Sequence, residues 1–266
     1  MAVPETGTAS GTELVRCEVS NDAAVRTVTL ARAAKRNALN VPMLDALKHL
    51  FTTEPDQHER VTVIRAEGPS FCSGVDLKER DTNGMAASAS AIEEMLHSVA
   101  MYPLPVVAVV HGDAIAGGNE LALHCDIVIA AESARFGMSL AQIGLAPTWF
   151  LAKKILEVGG PVFAREMLLL GDPISSRRMA ELGMIHKTVA DDELEDAAQA
   201  IIDRLAANAP LSLRAMKGML NRQMTFRDSI DHADVDQLVE KARSSNDAKE
   251  GIAARLERRS PTFSGS

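Results

Sequence analysis

Residues 114–140 (AIAGGNELALHCDIVIAAESARFGMSL) constrain this chain more than any other stretch. The run before them, PVVAVVHG (105–112), is nearly all apolar and reads as a buried strand over Val106–Val110. The paired glycines Gly117 and Gly118 follow and open a short apolar helix expected to begin near Asn119 and Glu120. A strand, a glycine turn and a helix start in that order leave unpaired backbone N–H groups that can face an anion or a polarised carbonyl. Glu120 sets a carboxylate beside them. Donors and a carboxylate at one place suit chemistry that makes an enolate, because the donors hold the developing oxyanion while the carboxylate moves the proton. The same residues also meet ordinary structural needs, since glutamate in a first helical turn suits the helix dipole and Gly-Gly makes turns.

Upstream, ELVRCEVSN (13–21) places Val15, Cys17 and Val19 on one face, and VRTVTLAR (25–32) does the same with Val28 and Leu30. Joined through Asn21 and Asp22, they predict a hairpin. A helix is expected over 42–51, with Pro42 at its first position and Leu44, Leu47 and Phe51 along one side. A strand over 61–68 runs into a second glycine-rich turn, GPSFCSGVDLKE. A helix over about 87–101 carries Ile92, Leu96 and Val99 on one stripe, and Pro103 and Pro105 punctuate the passage to the next strand.

Strand signals nearly stop after 184–189, so a barrel of eight alternating units does not fit. Helices are expected over 148–158, 161–170, 176–182, 192–207 and 211–222, with one long amphipathic helix over about 229–259. The expected organisation is a disordered segment at 1–12, a core at 13–208 and a helical oligomerisation region at 209–266, set off by Pro210.

The 266 residues suffice for one large core, and with only 3% aromatic content that core is built from aliphatics, Ala and the 12 Met. A net charge of −8 argues against a nucleic-acid partner, so any anionic ligand needs local basic clusters. Cys17, Cys72 and Cys125 are odd in number and lack CxxC spacing, which fits a reducing compartment. No leader-like start or membrane-length apolar run is visible, and a cytoplasmic protein with no membrane partner is expected.

Along nearly its whole length the chain resembles the enoyl-CoA hydratase/isomerase (crotonase) family. The resemblance rests on AAKRNALN (33–40), FCSGVDL (71–77), AIAGGNELALHCDI (114–127), RFGMSLAQIGLAP (135–147) and MAELGMIHKTV (179–189), in the family's order and spacing. It implies an α/β fold, a spiral of repeated ββα units with a C-terminal helical trimerisation module, and a homotrimer or a dimer of trimers. It also implies acyl-CoA thioester substrates, with coenzyme A arriving as part of the substrate and no other cofactor or metal. Carried over, the thioester oxygen would be held by the N–H groups of Val75 and Gly117, with Glu120 as acid and base. Lys35, Arg36 and Arg258, with Arg259 beside it, would approach the phosphates of coenzyme A. Backbone at Ala38 and at Ser73, Gly74, Asp76 and Leu77 would frame adenine and pantetheine, and Gly118 and Leu140 complete the implied binding set.

One position departs from the family's pattern. Hydratases of the family use a second glutamate, and Leu140 stands at its place, with no Asp or Glu between Arg135 and Ile155. One carboxyl would then both activate water and protonate the α-carbon. A positioned acid–base group contributes roughly 10²–10⁴-fold, so decarboxylation or hydrolysis of acyl-CoA thioesters, or binding without turnover, become alternatives to hydration and isomerisation. Leu140 could equally widen or dry the acyl pocket. His111, His124, Cys125 and Asp126 show no metal-ligand spacing and read as core. Ser73 and Ser139 lack a base nearby in sequence, and Trp149 and Phe150 either pack at a helix start or line the acyl pocket.

Overall fold

The computed structural model describes residues 14–78 and 85–266, so the segment expected at 1–12 lies outside the described residues. Strands β1 (Val15–Val19) and β2 (Val25–Leu30) form the expected hairpin, Val15 opposite Leu30. Only Val15 of the expected inner face is buried; Cys17 and Val19 are exposed, because the edge strand outruns the core beneath it. Helix α1 (Val41–Thr52) leads to β3 (Val61–Ala66), and helix α2 (Met85–Met101) to β4 (Val106–Val110). A short β5 (Ala114–Ile115) and helix α3 (Gly117–Leu123) precede β6 (Ile127–Ala131) and β7 (Arg135–Gly137). Helix α4 (Trp149–Arg165), which breaks at Gly160 (φ 68°, ψ 175°) between the two helices expected there, β8 (Ile174–Ser175), α5 (Ser176–Glu181) and β9 (Lys187–Val189) complete the body.

The strands make two sheets. One runs β1-β2-β3-β4-β6-β9, antiparallel only at the hairpin, and the other runs β5-β7-β8. Parallel strands buried on both faces explain why VVAVV is apolar throughout rather than alternating. Val107 and Val109 point to one layer with Val61, Val63 and Ile129, covered by Leu194, Ala198 and Ile202 of helix α6 (Leu194–Ala206). Val106, Ala108 and Val110 point the other way, into the main core with Leu44, Leu96 and Phe71.

Helix α7 (Pro210–Met224) is latched to the body: Lys217 Nζ donates to Asp126 at 2.6 Å and to the Leu104 carbonyl at 3.0 Å. The long helix expected over 229–259 is two helices, α8 (Ala233–Ser244) and α9 (Asn246–Glu257). Ser245 divides them: its backbone is extended, and its hydroxyl accepts from the Ala248 N–H at 3.0 Å, an N-cap that competes with helix continuation. After the break α9 turns back onto the body, where Gly251 lies against Ile143 and Gly144 against Asp247.

Candidate active site

The site is built first from backbone. Cys72 N–H donates to the Asp113 carbonyl at 3.1 Å, and Ile115 N–H donates to the Cys72 carbonyl at 2.9 Å, which ties the FCSG turn to β5. Leu39 N–H donates to the Gly74 carbonyl at 2.8 Å and its carbonyl accepts from Asp76 N–H at 2.9 Å. In such a bridge the intervening residue turns its own N–H to the opposite side, so the Val75 N–H points away from Leu39. Gly74 has φ 90°, and a Cβ there would sit 3.0 Å from the Ala116 Cβ and 3.1 Å from the Gly117 nitrogen. Only glycine lets the two turns approach so closely.

Helix α3 starts at Gly117 rather than near Asn119, because Ala116 takes φ 50°, ψ −115° as its N-cap and thereby aims the next N–H groups out of the helix. A non-glycine residue in that conformation costs about 1–3 kcal/mol, held here by the Ala116 N–H bond to the Gly137 carbonyl at 2.7 Å. Among the described residues neither Val75 N–H nor Gly117 N–H is engaged in a hydrogen bond. Both residues border one cleft of about 810 Å³, with Ser73, Leu77, Ile92, Ser139, Leu140 and Leu151 among its walls.

Glu120 lies one helical turn below, fully buried, and among the described residues neither carboxyl oxygen has a hydrogen-bond partner. His124 Nδ1 is 3.5 Å from Oε2, but it bonds the Glu120 backbone carbonyl at 2.8 Å. Burial holds this imidazole neutral, with its pKa down at about 3, so the contact is not an ion pair. Burial likewise pushes the Glu120 carboxyl well above the usual carboxylate range; Lys154 opposes the shift and Glu93 adds to it. The carboxyl is therefore held toward its acid form, buried one helical turn from Gly117, which borders the cleft.

A second cleft, about 1240 Å³ and strongly basic, gathers Lys35, Arg36, Arg255, Arg258 and Arg259. Arg255 borders both clefts and joins them. Ala38 lends its carbonyl to Arg32 at 2.9 Å, and Asp76 pairs with Arg32 at 2.7 Å while its other oxygen accepts from Lys78 N–H at 3.1 Å. Asp76 is thus a clasp for the turn and stands outside the cleft walls. Gly118 is also outside them, pressed against Cys72. Ser73 and Ser139 border the cleft, yet among the described residues neither hydroxyl is bonded to a base. Trp149 stacks on His232 at 4.6 Å and Phe150 on His124 at 5.2 Å, so both pack at the start of α4 and Leu151 lines the cleft instead. Among the described residues no cluster of His, Cys, Asp and Glu is arranged for a metal, and no helix is long and apolar enough to cross a membrane.

Arg243 of α8 and Arg255 of α9 border the cleft without any motif to announce them. Each is one charged residue among many on amphipathic helices, and only the turn at Ser245 brings them here.

A family model described as enoyl-CoA hydratase/isomerase matches residues 20–266. The 2,3-dehydroadipyl-CoA hydratase of Escherichia coli (strain K12) is 31% identical, over 93% of this chain and 98% of that protein. The 1,2-epoxyphenylacetyl-CoA isomerase of the same organism is 34% identical, over 91% and 95%. The crystal structure of an enoyl-CoA hydratase from Mycobacterium avium subsp. paratuberculosis K-10 superposes with a TM-score of 0.82 at 26% identity, covering 96% of this chain and all of that one.

Proposed function

Because the chain belongs to the enoyl-CoA hydratase/isomerase family, in which it is an acyl-CoA-processing enzyme, we propose that it stabilises a thioester enolate between the N–H groups of Val75 and Gly117, with Glu120 moving the proton. The observation that carries this reading is the pair of uncommitted N–H groups brought to one apolar cleft from two separate turns. One such donor is typically worth about 3–4 kcal/mol of transition-state stabilisation, because it is aimed before charge develops and works where water is excluded. Coenzyme A would lie with its phosphates in the basic cleft of Lys35, Arg36 and Arg258 and pass Arg255 into the acyl cleft.

For hydration, Glu120 as the acid delivers its proton to the α-carbon and recovers one from the water that adds at the β-carbon, so water is added across the double bond with the carboxyl unchanged. Leu140 offers no second proton carrier. That wall residue favours a second reading, decarboxylation of a malonyl-type thioester, in which carbon dioxide leaves, the donors hold the enolate and only one proton is needed at the α-carbon. Self-association as a trimer or a dimer of trimers is part of the proposal, supported by exposed Leu211, Met216, Met219, Leu220 and Leu238 on α7 and α8.

The test follows loss of the conjugated enoyl-thioester absorbance with a panel of trans-2-enoyl-CoAs, wild type against Glu120→Gln. Loss in the wild type that falls by roughly 10²–10⁴-fold in the variant, with thioester binding retained, supports hydration by one carboxyl. Binding without loss of absorbance in the wild type removes hydration and leaves decarboxylation, hydrolysis or binding alone, to be separated by product analysis.

A further inference from the structure

The acyl cleft is apolar but not neutral. Among the described residues its walls include two arginines and no aspartate or glutamate. Arg255 stands where the two clefts meet and belongs to the coenzyme A end. Arg243 borders the apolar cleft alone, and it is only 8% exposed. Its Nε donates to the Ala146 carbonyl at 3.2 Å, which anchors it just before the Thr148 cap of α4, the helix that brings Leu151 to the wall. Among the described residues no carboxylate lies within ion-pair distance of it, and its terminal nitrogens have no hydrogen-bond partner. Glu93 of α2 and Glu240 of its own helix attract it from farther away.

The two outer nitrogens of this guanidinium, unpaired among the described residues and not shut off from solvent, form a fork that matches a carboxylate. At Leu140 the wall lacks the acid that would otherwise occupy or repel a ligand's negative charge. We propose that Arg243 receives a carboxylate carried by the acyl group, so that the substrates are coenzyme A thioesters of dicarboxylic acids. Ile92, Leu140 and Leu151 then flank the methylenes between thioester and carboxylate. This deepens the reading of the cleft as the acyl site and rests on it, but it is independent of which reaction follows.

The test is calorimetric binding, without turnover, of saturated thioesters in matched pairs: adipyl-CoA against hexanoyl-CoA and succinyl-CoA against butyryl-CoA, with malonyl-CoA against acetyl-CoA to place the carboxylate along the chain. A charged hydrogen-bonded pair in a partly desolvated site gives on the order of tenfold to a hundredfold preference for one dicarboxylic member in the wild type. In Arg243→Met that preference collapses toward one, and Arg243→Lys restores part of it, since lysine keeps the charge and loses the fork. Equal wild-type affinities for all pairs overturn the proposal, as does a variant that weakens both members in parallel, which is what loss of the Ala146 anchor alone would do. Failure of all thioesters to bind would overturn the acyl-site reading as well, whereas dicarboxylic preference without loss of enoyl absorbance would retain this proposal and remove only hydration.

Discussion

Gly118 stands directly against the carbonyl of Cys72, so close that a methyl group at its Cα would fall inside the van der Waals radius of that oxygen. The carbonyl cannot yield, because it accepts the Ile115 N–H at 2.9 Å in the bridge that ties the turn carrying Val75 to the strand leading into Gly117. Gly118→Ala is therefore expected to cost about 3 kcal/mol, the upper end for overpacking, since backbone and not a flexible side chain must move. Urea unfolding measures that loss, and turnover should fall with it as Val75 and Gly117 move apart.

Glu120 links the site to the pH dependence of stability. Its carboxyl has an ordinary value of 4.5 when exposed and a strongly raised one in the fold, burial being the main cause. Between those two values the native state holds a proton that the unfolded chain has released, so unfolding releases it and stability declines as pH rises. The contribution is complete below about pH 4.5 and is lost on passing through the raised value. Glu120→Gln removes the titrating group, and its melting temperature should decline less with pH than that of the wild type, with the variant the more stable of the two at alkaline pH. Parallel melting curves across pH would show that the carboxyl is not held in its acid form.

Helix α7 is latched to the body by the ion pair of Lys217 with Asp126. The Lys217 side chain is 8% exposed and Asp126 29%, and the lysine also satisfies the Leu104 carbonyl. Lys217→Met leaves the Leu104 carbonyl without this donor and the carboxylate without its counter-ion, though the Val106 N–H still donates to it, at an expected cost of about 2–3 kcal/mol, since the half-open aspartate also regains some water. Denaturant unfolding measures the loss, and Lys217→Arg should recover a part of it.

The basic cleft should give binding a salt dependence. Lys35, Arg36 and Arg258 form no ion pair with another side chain among the described residues, whereas Arg259 is already paired with Glu250 and Glu257. Neutralising Lys35 or Arg258 should weaken coenzyme A binding about threefold to fivefold each, as expected for exposed charges worth up to about 1 kcal/mol. Titrations at low and at high salt should show a shallower salt response in each variant, and Arg259→Gln should change binding least.

Much of this site was legible along the chain because its donors are backbone groups and local sequence sets local backbone. Gly117 announces itself as the first residue of a glycine turn, and the FCSG turn points to Val75 through family resemblance. Leu140 could be recognised as a departure for the same reason, its place being fixed by the nearby FG turn. Helix starts and stops were less legible. The N-cap at Ala116 and the break at Ser245 depend on single dihedral angles, which the apolar periodicity on either side does not report.

The sequence by itself determined the N-terminal hairpin, the strands beginning at Val61 and Val106, the glycine turns and a carboxylate one helical turn from Gly117, since each follows from spacing within a few residues, whereas the short strands of the second sheet left no such signal. Only the tertiary structure decided what surrounds them. It buried Glu120 with no hydrogen-bond partner for its carboxyl among the described residues, which holds it toward its acid form. It also turned α9 back at Ser245 so that Arg243 and Arg255 close over turns far earlier in the chain. Burial and long-range charge are properties of packed neighbours, and the identity of those neighbours is settled by how the helices fold back, not by the residues beside them in the chain.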